Sequence, residues 1–326
     1  MQLADAISGF LTSMAADGYS QNTIIDYRKN LAKLGTFLEQ RHRALEQVTL
    51  ADLREFMSYL RTAYVPKRFN GDTSPMSEHT LANVWCSLRS FFRWCLNERL
   101  IEARPDLGLK QPKAQRPVIQ PFSQEEIQRL LEVVTYTRSA DTAKRKAFKM
   151  RRPTANRDRA LILLLLDTGL RVSEVGRLTV GDVNLETGEI YVCPHGSGQK
   201  TKSRHVYLGR AARKALWRYL VDRRQEDTTH ADDPLFLSER GQPMNNNSIR
   251  LLLAHTGRRA GVAHVYPHRF RHTFAILFLR NGGDVFSLQR ALGHSTLDMV
   301  RTYLALTDAD VAAAHRQASP VDRWRL

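Results

Sequence analysis

The middle of the chain carries the signature of a buried helix, where residues 156–174 read NRDRALILLLLDTGLRVSE. The apolar run Ala160–Leu166 is far shorter than the roughly 20 residues that cross a bilayer, so it predicts a helix enclosed by protein. Asn156 is placed to cap this helix, and Gly169 suits the turn that ends it. Arg171 follows in that turn, so the stretch predicts a core helix whose exit presents a cation.

The segments around this helix predict a unit that is mainly helical and contains one small β-sheet. The capping box Ser123–Glu126 begins a helix before it. Beyond it, Glu189–Val192 and His205–Leu208 have the composition of strands and flank a turn rich in glycine and lysine. From Ala211 onward, capping and breaking residues again delimit helices. The expected fold class is therefore mainly α with a small β-sheet (α+β).

The N-terminal part of the chain predicts a separate bundle of four helices. Apolar residues recur at helical spacing, and Ser20, Thr49 and Ser77 are placed to cap the second, third and fourth helices. Three prolines between Lys110 and Pro121 oppose both helix and sheet, which favours an extended linker. These features predict three parts, namely a helical domain over 1–112, a linker over 113–120 and a second domain over 121–326.

Two basic connections leave their role open at this point. The connection over 62–76 is long for a helix pair and contains Lys67 and Arg68, so it is either a solvated loop or a segment that touches DNA. Residues 136–156 carry many cations and few apolar side chains. They form either a mobile basic loop or a phosphate-binding segment, and in the second case the expected DNA contacts are Lys144, Arg145 and Lys146.

The composition points to a polyanionic partner. The 326 residues include 49 Lys and Arg against 33 Asp and Glu, which gives a formal charge of +16, and residues 113–326 carry +14 of it. Nucleic acid is therefore the first candidate partner. Three cysteines without paired spacing argue against a disulfide framework and against a cysteine-rich zinc site. Because no metal motif, phosphate-binding loop, signal segment or membrane span is visible, we expect a soluble cytoplasmic protein without metal or other cofactor.

Four places in the second part carry side chains suited to phosphate chemistry. They are Arg171, the turn with Lys200 and Lys202, the segment PHRFRH (267–272) with His268 and Arg271, and LGHST (292–296) with His294, followed by Tyr303. A guanidinium grips a phosphate through two parallel hydrogen bonds, and His268 and Arg271 share one helix face. Each place alone has a structural explanation, such as an ion pair between Arg171 and Glu174. The whole set, in this order in a basic chain, is hard to obtain by chance.

In these motifs the sequence resembles the tyrosine recombinases of the phage integrase family. The resemblance covers nearly the whole chain and implies a helical core-binding (SAM-like) domain followed by a tyrosine-recombinase catalytic domain. The implied catalytic residues are Arg171, Lys202, His268, Arg271, His294 and the nucleophile Tyr303, with Glu174 in support. Lys200 remains an alternative general acid, although counting back from Arg204 favours Lys202. Lys200 and Arg204 are then expected to contact DNA.

The resemblance implies a site-specific recombinase or integrase that cuts and rejoins DNA through a 3'-phosphotyrosine at Tyr303, without ATP or metal. Its partners would be double-stranded DNA with paired recognition sites and further copies of the chain in a tetramer. A type IB topoisomerase and a DNA-binding regulator without catalysis remain alternatives. The long basic connections favour a mobile-element enzyme over an Xer-type resolvase. A short helix expected over Thr307–Ala318 packs either on its own domain or on a neighbouring subunit.

Overall fold

A computed structural model of the chain describes residues 2–68, 71–113, 119–137, 140–142, 145–194, 203–224, 230–293 and 316. These residues form two compact units, one that runs to Lys113 and one that begins at Ile119. Helices dominate both units, and the strands are two short antiparallel pairs in the second, which confirms the expected fold class. In the ranges that the structure describes, no helix is both long and apolar enough to cross a membrane.

The first unit is a bundle of four helices around an aromatic core. The helices are α1 (Leu3–Ala16), α2 (Gln21–Glu39), α3 (Leu50–Thr62) and α4 (Glu78–Asn97). The side chains of Ser20, Thr49 and Ser77 accept the expected hydrogen bonds at the starts of α2, α3 and α4, which confirms these caps. Phe10 and Phe91 meet edge to face with ring centroids 5.6 Å apart, so apolar packing joins α1 to α4.

The connection between α3 and α4 is organised by one arginine. Arg68 Nη1 donates to Asp72 Oδ2 and to Ser74 Oγ, each at 2.8 Å. Arg68 Nη2 donates to the carbonyl of Pro75 at 3.3 Å. The guanidinium of Arg68 thus holds its own loop together, whereas Lys67 next to it is exposed. This segment and one side of α2 line an open cavity of about 620 Å³.

The second unit is built around one buried helix. Its helices are α5 (Gln124–Thr135), α6 (Ala155–Thr168), α7 (Val172–Val175), α8 (Arg210–Arg224), α9 (Asn246–Ala260), α10 (Pro267–Arg280) and α11 (Val285–Leu292). Helix α6 packs against α5, α8 and α10, and Leu161 and Leu165 are fully buried. It begins at Ala155, so the prediction that Asn156 caps it is wrong. The Asn156 amide instead bonds Arg151 and Asp222.

Four short strands complete the second unit, namely β1 (Ala140–Thr142), β2 (Arg145–Phe148), β3 (Glu189–Val192) and β4 (Arg204–Tyr207). The antiparallel pair β3–β4 confirms the expected strands, although β4 begins one residue early. The pair β1–β2 lies within the 136–156 segment, so this part of the segment is a strand pair, and the binding of phosphate by the segment remains a prediction. Lys144 lies outside the described residues, and only the backbone of Arg145 and Lys146 is described, so their DNA contacts remain a prediction.

Candidate active site

A glycine turn at the end of α6 places the first candidate residue. Gly169 adopts the left-handed conformation with φ of +60°, which side chains with a Cβ rarely adopt. A Cβ at this position would also lie 2.4 Å from Cδ1 of Phe274 and 2.9 Å from Cδ2 of Leu292. Both the conformation and the close packing therefore require glycine. The chain leaves this turn through buried Leu170 and reaches Arg171 at the start of α7.

Glu174 fixes Arg171 through its backbone and its side chain. The Arg171 amide donates to Glu174 Oε2 at 2.7 Å, and Arg171 Nη1 donates to Oε1 at 3.1 Å. Burial by itself raises the pKa of Glu174, but hydrogen bonds and positive charge from Arg204 and Arg171 outweigh this effect and lower the pKa. Glu174 is therefore a buried carboxylate, while the Arg171 side chain keeps 28% exposure and can meet a ligand.

Arg271 connects the turn of Arg171 to the end of α11. Helix α10 begins with Pro267 at its first turn, and Arg271 lies one turn further, only 2% exposed. Its Nη1 donates to the carbonyl of Gly169 and its Nη2 to the carbonyl of Leu292, both at 2.7 Å. The backbone two residues before Arg171 and two residues before His294 is therefore held by one guanidinium.

His268 stands near both candidate arginines. It keeps an exposed surface, yet the surrounding protein shields the ring enough to lower its pKa, and the charges of Arg271 and Arg171 lower it further. The ring is therefore neutral near pH 7 and able to accept a proton. The ring of His272 stands nearly perpendicular to it at 5.3 Å between centroids. Burial, followed by the charges of His268 and Arg271, lowers the pKa of His272 to about 4.

Arg204 occupies a different place from the predicted one. Its Nη1 and Nη2 donate to Glu174 Oε1 and Oε2 at 2.9 and 2.8 Å, and its Nε donates to the carbonyl of Ala291 at 2.7 Å. The residue is buried with 7% exposure. The expectation that Arg204 contacts DNA does not fit this placement, because its guanidinium points inward and is occupied by protein acceptors.

The remaining predicted site residues, Lys200, Lys202, His294 and Tyr303, lie outside the described residues. Ser203, which directly follows Lys202, and Gly293, which directly precedes His294, are both described. Among the described residues, His, Cys, Asp and Glu side chains nowhere gather in a group of three that would hold a metal ion. The site as described is a cluster of arginines around one carboxylate and one neutral histidine.

Arg269 has a structural role that the sequence does not predict. This buried residue donates from Nε to the carbonyl of Gln120 at 3.0 Å and from Nη1 to the carbonyl of Ala263 at 2.8 Å. Its Nη2 bonds Glu126 Oε2 at 2.8 Å, and the guanidinium stacks over the Phe122 ring at 3.9 Å. Arg269 thereby ties the start of α10, which carries His268, to the segment that begins the second unit. Among several neighbouring cations, the sequence gives no signal that singles it out.

Comparisons with known proteins address the whole chain. The profile of the phage integrase family matches residues 120–310, which is more than half of the chain, and the N-terminal SAM-like domain of phage integrases matches residues 7–99. Tyrosine recombinase XerC of Bacillus subtilis is 33% identical over 290 residues, which cover 87% of this chain and 86% of that protein. XerC of Oceanobacillus iheyensis is 31% identical over 306 residues, which cover 92% and 91%.

Solved structures share the fold. The Tn1549 transposon integrase in complex with circular intermediate DNA aligns with a TM-score of 0.71 at 21% identity and covers 97% of this chain and 99% of its own. The XerH recombinase bound to palindromic difH substrate aligns with a TM-score of 0.68 at 20% identity and covers 98% and 96%. With the family matches and the XerC relatives, this chain belongs to the phage integrase family and is a tyrosine site-specific recombinase.

Proposed function

We propose that six residues perform the cleavage and rejoining of DNA, namely Arg171, Lys202, His268, Arg271, His294 and Tyr303. The observation that carries this proposal is the contact of Arg271 with the carbonyls of Gly169 and Leu292. Arg271 lies on the same helix as His268, and its two hydrogen bonds hold the backbone just before Arg171 and just before His294 against that helix. Residues far apart in sequence thus converge on one place, as a reaction at a single phosphate requires.

The proposed reaction is a reversible exchange of phosphate esters. The phenol oxygen of Tyr303 attacks the scissile phosphorus, and the bond from phosphorus to the 5' oxygen breaks. Neutral His268 accepts the phenol proton, and Lys202 donates a proton to the leaving 5' oxygen. The product is a 3'-phosphotyrosine, in which the phosphodiester bond energy is retained. Attack by a new 5' hydroxyl reverses the steps, so rejoining consumes no ATP.

Positive charge from side chains would stabilise the transition state. The equatorial phosphate oxygens gain negative charge as the tyrosine attacks, and preorganised donors lower the barrier for that step. Arg171 has a partly exposed guanidinium that Glu174 orients. Arg271 lies nearby, with its two Nη atoms on the backbone carbonyls of Gly169 and Leu292. With His294, these arginines would take the electrostatic role that metal ions have in many other phosphoryl transfers.

The two alternative activities are less well supported. A type IB topoisomerase shares the chemistry, but the curated relatives at about 30% identity are recombinases. A regulator without catalysis would not need the arginine and histidine positions to be filled. We propose assembly as a tetramer on two DNA duplexes with paired sites, in the cytoplasm where DNA is accessible. The assignment to a mobile element rests on the long basic connections alone.

We propose that residues 1–112 form the core-binding domain, 113–120 the linker and 121–326 the catalytic domain. The cavity between α2 and the 62–76 connection gives the first of these a basic surface. Its lining includes Lys29, Lys33 and Lys67 and, among the described residues, no carboxylate. Burial, and then the charge of Lys29, lowers the pKa of Lys33, and the negative charge of Asp26 offsets this lowering only in part. A DNA phosphate would add further negative charge beside this ammonium.

The salt dependence of DNA binding tests this surface. The paired substitution Lys33→Gln and Lys67→Gln should reduce the slope of log affinity against log salt by roughly 0.9 for each phosphate that is no longer neutralised. The slope is measured by fluorescence anisotropy with a labelled duplex. Arg54→Gln with Arg99→Gln removes the same charge from exposed positions of the first unit and should leave the slope nearer to that of the wild type. If the two double variants have equal salt slopes, the 62–76 connection is a solvated loop that does not contact DNA.

The general acid is tested by changing the leaving group. Lys202→Ala should cleave an ordinary substrate slowly but recover on a 5'-bridging phosphorothiolate, because a thiolate leaves without a proton. Arg171→Ala and Arg271→Ala should lose roughly 10²–10³-fold and recover little, because they remove charge stabilisation instead. Single-turnover cleavage rates on both substrates give the comparison. Lys200→Ala is the matched variant, and selective recovery of that variant would transfer the acid role to Lys200.

A further inference from the structure

Arg204 begins β4, two residues after the proposed general acid Lys202. Alternate residues of β4 are buried, so Arg204 shares the inward face with Val206 while His205 and Tyr207 face outward. Its side chain is 5% exposed, and that of its partner Glu174 is 1% exposed. Burial of both charges carries a desolvation penalty, which close hydrogen bonds between the two side chains must offset.

The guanidinium of Arg204 contacts two segments that adjoin proposed catalytic residues, namely the α7 turn of Arg171 and the end of α11. Two parallel hydrogen bonds reach the carboxylate that holds Arg171, and Nε bonds the carbonyl of Ala291 near the end of α11. Gly293 packs so closely that a Cβ there would lie 3.1 Å from Arg204 Nη1 and 3.2 Å from its Cζ. The next residue along the chain is His294.

We propose that Arg204 is a positioning residue that aligns three proposed catalytic residues, Lys202, Arg171 and His294, with one another. The proposal rests on the function proposed above and assigns Arg204 no contact with DNA. Arg204 fixes the outgoing strand of the lysine turn relative to the Arg171 turn through Glu174, and relative to the His294 turn through Ala291. Displacing any of these by about 1 Å would cost of the order of 100-fold in rate.

The geometry requires arginine and not only a positive charge. The planar fork of the guanidinium serves both carboxylate oxygens and the Ala291 carbonyl at once. The ammonium of lysine is a compact point charge and does not hold three acceptors on two segments in this fixed arrangement. Arg204→Lys would therefore keep the charge balance of Glu174 but lose the alignment.

The chain offers a matched control in Arg157. Its guanidinium pairs with buried Asp158 at 2.7 Å and bonds the Leu237 carbonyl at 3.2 Å, and its side chain is 11% exposed. The pair is thus chemically similar to that of Arg204 and Glu174. It lies in the first turn of α6, at the opposite end of that helix from the Arg171 turn. Arg157→Met therefore reports the loss of a buried ion pair without a change at the site.

The test measures cleavage by full-length Arg204→Met, Arg204→Lys and Arg157→Met, each below its thermal unfolding midpoint. Single-turnover rates are taken on the ordinary suicide substrate and on the 5'-bridging phosphorothiolate. We expect Arg157→Met to cleave within about threefold of the wild type, with an unchanged ratio between the two substrates. We expect both Arg204 variants to lose about 100-fold on the ordinary substrate and to shift the ratio towards the phosphorothiolate, because Lys202 is misplaced.

Three outcomes decide the proposal. Equal rates for Arg204→Met and Arg157→Met would overturn it, because Arg204 would then serve stability alone. A wild-type rate in Arg204→Lys would also overturn it, since charge balance would be sufficient, and this variant decides the matter if Arg204→Met does not fold. Absence of a covalent adduct in the wild type would instead refute the proposed function, which separates that failure from failure of the positioning role.

Discussion

Tyr303→Phe is expected to abolish covalent attachment of the chain to DNA and to leave DNA affinity nearly unchanged. Phenylalanine keeps the ring but removes the hydroxyl, which the proposed mechanism requires only as the nucleophile. No other step forms a bond to the protein. The effect should therefore be complete in the cleavage assay and small in the binding assay.

The measurement is a suicide substrate whose nicked end diffuses away after cleavage, resolved on a denaturing gel. The wild type should accumulate a protein–DNA adduct, in EDTA as well as in magnesium, because side-chain cations carry the electrostatic role in the proposed mechanism. Tyr207→Phe is a matched control, since Tyr207 is an exposed tyrosine of the same unit that bonds Glu189. A persistent adduct with Tyr303→Phe would show that another residue is the nucleophile. Loss of all cleavage in EDTA would contradict the metal-free mechanism.

Local signals in the sequence predict much of the fold. The hydroxyl of Ser77 caps α4 by accepting from the Thr80 amide three residues on, and Ser123 caps α5 in the same way from Glu126. Such contacts depend on neighbours in sequence, so they are readable without tertiary structure. The end of α6 at Gly169 is predictable for a related reason, because a helix that ends in a left-handed residue favours glycine there.

Partners distant in sequence explain what was not predicted. Arg204 pairs with Glu174 and Ala291, which lie on other elements, whereas its sequence neighbours Lys200 and Lys202 suggest a surface of cations. One local signal was present, because Arg204 lies two residues before Val206 and alternate residues of a strand share a face. Asn156 is similar, because its side-chain oxygen accepts from Arg151 and its Nδ2 donates to Asp222 on α8, while α6 already begins at Ala155.

Arg271 shows why a catalytic assignment and a structural one are compatible here. Its hydrogen bonds to Gly169 and Leu292 hold two turns of the site before any ligand binds. In the proposed mechanism, the positive charge of Arg271 also stabilises the negative charge that develops on the phosphate. The same side chain would then position its neighbours and share their task. Kinetic losses in Arg271→Ala therefore combine misalignment with the removal of charge, and they are interpretable only beside the unfolding midpoint of that variant.

Truncation after Asp310 is expected to leave binding to a single half-site intact and nearly to eliminate recombination. This change removes most of the helix predicted over Thr307–Ala318, which lies outside the described residues apart from Arg316. The family resemblance implies a C-terminal helix that docks head to tail on the neighbouring subunit, and such contacts close into a ring. We propose the same contact here. Its removal should lower cooperative filling of the second half-site by about 100-fold or more, the range expected when linked binding is abolished.

Gel shifts on half-sites and full sites, with a recombination assay on paired sites, measure the two effects separately. Truncation after Ser319 is the matched control, because it removes residues 320–326 but keeps Thr307–Ala318 whole. It should retain cooperativity and recombination if the helix is the docking element. Thermal unfolding of the free chain distinguishes the two possible packings. A helix that packs on its own domain stabilises the monomer, so its removal would lower the unfolding midpoint, whereas a helix that docks on a neighbour leaves the midpoint unchanged. Normal pairing and recombination after truncation at Asp310, or an unfolded monomer, would therefore show that docking between subunits is wrong.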